Sequence, residues 1–148
     1  MSEPESEHEA VRWLWYALED LILAETIAGQ RLSGARHLCF FAQQAAEKAL
    51  KAILVHEGIE FPKTHDLPRL RALVPEGWSA REVQGSLGRL AMFAVEARYP
   101  GEWEDATPEE VANALELARS ITVAARADLR DRGLASIDEL PRLPGEAR

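Results

Sequence analysis

Five side chains have the types to grip an anion: Lys48, Lys51, His65, Arg98 and Tyr99. Two ammonium groups and a guanidinium supply positive charge and donors for phosphate oxygens, the guanidinium as a planar fork. Histidine is the side-chain type suited to a switchable charge, and His65 could face a nucleotide or a partner. Tyr99 offers a face on which a base can stack. Each also has a plainer reading. Glu47 and Lys51 make a favourable i, i+4 pair on a solvated face. Asp66 beside His65 is a good helix N-cap. Arg98 complements a helix C-terminus, and Tyr99 packs in a core. The sequence leaves both readings open.

These residues need elements to hold them. The stretch from Arg36 to Glu57 contains no Gly or Pro and is dominated by good helix formers, with Gly34 and Gly58 marking its ends. On a helical wheel Gln43, Glu47, Lys51, Gln44 and Lys48 share one arc of about 140°. Almost everything else between Leu38 and Val55 is apolar. A helix apolar over more than half its circumference is buried on several sides, so this is the central helix of a bundle.

A helix is expected from Glu7 to Ala28, after a disordered start at residues 1–6. Val11, Leu14, Trp15, Leu18, Leu21 and Ile22 form its core stripe. Trp13, Tyr16 and Leu23 lie off that stripe and suggest a second contact surface, such as one with another subunit. The short link at 29–34 makes the first two helices an antiparallel hairpin. Thr64-His65-Asp66 opens a short helix at 66–74. Ser79-Ala80-Arg81-Glu82 reads as a capping box opening a long helix that ends at Tyr99, before Pro100. Its Gly85 and Gly88, about one turn apart, would let another backbone approach. Thr107-Pro108-Glu109-Glu110 is a second capping box, opening a helix to about Arg132. The expectation is an all-α, up-and-down bundle of four long helices plus one short helix over residues 7–133. Residues 134–148 read as a loosely attached tail.

Three ordered pieces carry a resemblance: Gln43-Gln44-Ala45-Ala46-Glu47-Lys48-Ala49-Leu50-Lys51-Ala52, then Thr64-His65-Asp66-Leu67, then Arg98-Tyr99-Pro100. With Ala17-Leu18-Glu19-Asp20-Leu21 and Ala24, over roughly residues 10–130, the chain resembles the HEPN domain family. The resemblance implies a short protein paired with a small nucleotidyltransferase, in the manner of a toxin–antitoxin module. HEPN members that look like ribonucleases carry an Arg, four to six residues, then a His, late in the domain. Here no His follows His65, so Arg98 has no such partner. Arg31 to His37 matches by count, but across the first turn and with Gly34 between. No catalytic residue is assigned. A nucleotide-binding or interaction module is the first reading, a metal-independent endoribonuclease the alternative, and a non-binding dimeric scaffold the third.

Composition bounds these readings. A chain of 148 residues with 47% hydrophobic and 28% charged residues is one ordinary globular domain. Its net charge of −8 opposes broad coating of nucleic acid and suits a protein partner better. The single Cys39 excludes an internal disulfide and a multi-Cys zinc site, and His37 and His56 are not at metal-ligand spacing. No metal, no cofactor and no Gly-rich phosphate loop is expected. No signal peptide is expected from the acidic start, and no apolar run approaches the ~20 residues of a membrane span. A cytoplasmic homodimer is expected, with Lys48, Lys51, His65 and Arg98 converging on one concave patch walled by Tyr99.

Overall fold

A computed structural model describes residues 3–29, 34–96, 101 and 105–146. Among them are five α-helices and no strand: α1 (Glu3–Gly29), α2 (Ala35–His56), α3 (Leu67–Leu73), α4 (Leu87–Glu96) and α5 (Pro108–Asp131). Short 3-10 turns cover Ser79–Glu82 and Ala135–Glu139.

α2 is the central helix. It touches α1, α3, α4 and α5, and 14 of its 22 residues are buried. α1 runs antiparallel to it: Asp20 meets Lys48, and Trp13, earlier in α1, meets Lys51, later in α2. The core holds Leu14, Leu18 and Leu21 from α1, Leu50, Ile53 and Leu54 from α2, Leu67 and Leu70 from α3, Leu90 from α4, and Ile121 and Leu129 from α5.

Several boundaries differ from expectation. α1 begins at Glu3 rather than Glu7, so residues 3–6 are helical. Glu5 and Glu7 put negative charge in its opening turns, where the helix dipole favours it. Trp15, placed on the core stripe from sequence, is 45% exposed, whereas Trp13 packs edge-on against Phe61. Ala10, Ala17 and Ala24 take the buried positions instead and let α2 approach.

The long helix expected from Ser79 does not form as one piece. Ser79–Glu82 is a 3-10 turn without a side-chain cap, Val83 is extended, and α4 starts only at Leu87. Gly85 explains the break. Its φ is +143°, and a Cβ there would meet Leu117 Cδ1 at 2.8 Å. Gly88 faces nothing within 4 Å, so only Gly85 permits a close approach, and that approach is to a side chain. Ser79 is captured from a distance instead of capping: its N–H and Oγ–H both donate to the Asp128 carboxylate at 2.7 Å. The residues where this helix was expected to end, 97–100, lie outside the described residues.

Two caps form as the sequence predicts. Asp66 accepts from Arg69 N at 3.2 Å to open α3. Thr107 and Glu110 complete a reciprocal capping box on α5. The segment after Gly133, expected to be loose, packs on the bundle. Leu134, Ile137 and Leu143 are buried. The buried Arg126 guanidinium donates to the carbonyls of Pro141 (2.6 Å), Ile137 (3.0 Å) and Leu140 (3.1 Å). The spacing of Leu134, Ile137, Leu140 and Leu143 is the apolar pattern behind this packing, and the Pro and Gly residues around it masked it.

Candidate functional site

The polar stripe of α2 is largely inside the protein. Gln43, Glu47 and Lys51 stand four residues apart on one line of the helix, and all three are buried. Glu47 is their hub. Its Oε1 accepts from Gln43 Nε2 at 3.1 Å and pairs with His65 Nδ1 at 2.6 Å. Its Oε2 accepts from Lys51 Nζ at 3.1 Å. Gln44 donates to Gln43 at 2.7 Å and extends the chain outward.

The cost of burying this carboxylate is offset by its donors. Burial pushes the Glu47 pKa up, but hydrogen bonds from His65 and Gln43 and the charge of Lys51 outweigh it, so the group is held below the usual carboxylate range. An ionised carboxylate only accepts, so the Nδ1 of His65 carries the hydrogen. The imidazole is 46% exposed, and its Nε2 has no hydrogen-bond partner among the described residues. Lys51 is enclosed from the other side by aromatic rings, with Nζ 5.5 Å from the Trp13 centroid and 5.6 Å from that of Phe61.

Lys48 faces elsewhere. Its Nζ lies 2.5 Å from Asp20 Oδ2 on α1. Burial raises the pKa of Asp20, and the hydrogen bond and charge of Lys48 only partly counter it. Lys51 and His65 therefore share one carboxylate, while Lys48 holds a second. Arg98 and Tyr99 lie outside the described residues, as does Arg31. His37 is exposed at the start of α2, beside the Arg36 guanidinium at 3.2 Å. Sequence reasoning placed Glu47 only as a helix-pairing partner and missed Gln43 and Asp20 as site residues. The signal was three polar residues on one line of an otherwise apolar helix.

A second charged cluster lies between α4 and α5. Arg89 pairs with Glu110 at 2.7 Å and Glu96 at 2.9 Å and stacks over Phe93. It borders a groove of about 350 Å³ that Asn113 and Ser120 also line. No group of His, Cys, Asp and Glu among the described residues is arranged to hold a metal ion. Cys39 on α2 is buried, and burial pushes its thiol pKa up to about 11.

A helical bundle whose central helix carries a buried Gln–Glu–Lys line, closed by a His-Asp turn, is a small all-α domain with a polar seam. The chain belongs to the HEPN domain family, which matches it over residues 10–127. Among solved structures, the crystal structure of TT1696 from Thermus thermophilus is similar, with 28% identity and a TM-score of 0.67. The match covers 81% of this chain and 98% of that one. No curated protein matches. None of the described helices is long and apolar enough to cross a membrane.

Proposed function

We propose that this HEPN-domain chain is a non-catalytic interaction module. It works as a homodimer and as the partner of a small nucleotidyltransferase in a toxin–antitoxin-like pair. The observation that carries the reading is that each described cation of the expected anion site already faces a carboxylate. Lys48 has Asp20, Lys51 has Glu47, and His65 has Glu47. A nucleotide phosphate would have to displace a partner already in place, on a chain of net charge −8. The nucleotidyltransferase partner rests on the family resemblance. A small nucleotidyltransferase reading frame beside this gene is expected, and co-expression with its product should give a complex that survives gel filtration. Calorimetry with a nucleotide panel should give no binding heat. Nucleotide binding that is lost on Lys51→Ala would replace this reading with a ligand-binding one.

One observation favours the alternative of a metal-independent endoribonuclease. A half-exposed imidazole backed by a buried carboxylate, with its second nitrogen unbound, is how an oriented general base is built. Incubation with total RNA under chelator decides it: cleavage abolished by His65→Ala would establish the enzyme.

A further inference from the structure

The exposed face of α1 is self-complementary. Trp15, Tyr16 and Leu23 are 45%, 43% and 44% exposed. With His8, Arg12 and Glu19 they fall within one arc of about 100°, opposite the face that packs on α2. Three large apolar side chains in one arc of one helix are more than scattered surface residues need explain. Arg12 and Glu19 stand near the middle of that arc, seven residues apart. Glu19 has no hydrogen-bond or ion-pair partner among the described residues. Arg12 is exposed, donates to the Tyr16 hydroxyl at 3.3 Å and feels the charge of Glu9. At one end, His8, Glu9, Arg12, Trp13 and Tyr16 line a hollow of about 250 Å³. At the other end Leu23 stands out from the surface.

We infer that this face binds a second copy of the chain, α1 against α1, antiparallel about a two-fold axis passing between Trp15 and Tyr16. The inference rests on the homodimer reading above and names its surface. In that register Arg12 of one protomer lies level with Glu19 of its partner, and symmetry makes the pair twice. Leu23 of each protomer lies level with His8 of the other, at the hollow. The four aromatic rings gather about the axis. A hollow and a knob at opposite ends of one face, and opposite charges equidistant from its centre, are what an isologous contact requires. A second class of protein would be under no constraint to match the face's own symmetry. One helix face is smaller than the roughly 800 Å² per partner of a standard interface, so the association is concentration-dependent.

Sedimentation of the full chain over a wide concentration range tests this, with circular dichroism checking that each variant keeps its helix content. Arg12→Glu and Glu19→Arg each create a like-charge pair twice per dimer, and each should weaken association about tenfold. The double variant, which reverses both charges, should restore it. Trp15→Ser should leave a monomer. A dimer indifferent to both single changes, or one the double variant does not restore, overturns this surface while leaving the homodimer standing. A wild-type chain that stays monomeric throughout overturns both.

Discussion

Glu47 and His65 meet at 2.6 Å across 18 positions of sequence, and the carboxylate they share with Lys51 is almost wholly buried. The contact ties the turn before α3 to the middle of α2. It converts three polar residues from a solvated stripe into an interior network.

Removing that carboxylate strands a buried ammonium. Glu47→Ala leaves Lys51 without a counter-charge and Gln43 without its acceptor. The expected loss is about 3 kcal/mol, the usual cost of breaking a buried pair from one side. Urea unfolding at neutral pH measures it. Glu47→Ala combined with Lys51→Met should cost clearly less than Glu47→Ala alone, since no charge is then stranded.

The same group sets an acid limit. The folded state holds the Glu47 pKa below the ordinary carboxylate value of about 4.3, so its ionised form is the one the fold stabilises. That contribution is complete above the unfolded pKa and disappears as pH falls through the lower, folded one. Asp20 works in the opposite sense, because burial raises its pKa and the fold favours its proton. Glu47→Gln should therefore flatten the loss of stability on acidification below about pH 5, and Asp20→Asn should steepen it. Chemical denaturation from pH 7 down to 3 follows both slopes.

Two glycines three residues apart should respond with opposite signs. Gly85→Ala puts a Cβ against Leu117 in a left-handed conformation, and should cost about 2 kcal/mol. Gly88→Ala adds a methyl to open space in α4 and should gain up to about 1 kcal/mol. Thermal melting of the two variants compares them directly.

Cys39 should be silent towards thiol reagents. Its pKa of about 11 and its burial leave almost no accessible thiolate at pH 8. Ellman's reagent should react only as the protein unfolds, with a rate that follows denaturant concentration.

The sequence made the bundle legible because α2 carries strong periodicity and flanking glycines, and because Thr107 and Asp66 cap in the expected way. It misled at Ser79, where a capping-box pattern was present but Asp128, 49 residues on, claims the Ser79 donors. Only tertiary proximity could reveal that competitor. The tail misled for a related reason. Its leucine spacing is weak until the buried Arg126 supplies donors for the carbonyls of Ile137, Leu140 and Pro141. At the site, residue types pointed to Lys51 and His65, but nothing local showed that one carboxylate would hold both. A wheel shows which residues share a face, and not whether that face meets water.

The polar network and the Asp128 clasp differ in when they can exist. Trp13, Gln43, Glu47, Lys51, Phe61 and His65 all belong to the first 65 residues of the chain, so during synthesis the network can close as soon as that stretch is clear of the ribosome. Asp128 reaches Ser79 across 49 residues, and Arg119 reaches Glu25 across 94. Those closures wait for the last helix and carry the higher loop entropy. The N-terminal hairpin with its turn is thus the early folding unit, and α5 arrives as a late clamp. A ribosome stalled before α5 would present a nascent chain whose Glu47 network is already assembled and whose core is still open along one side.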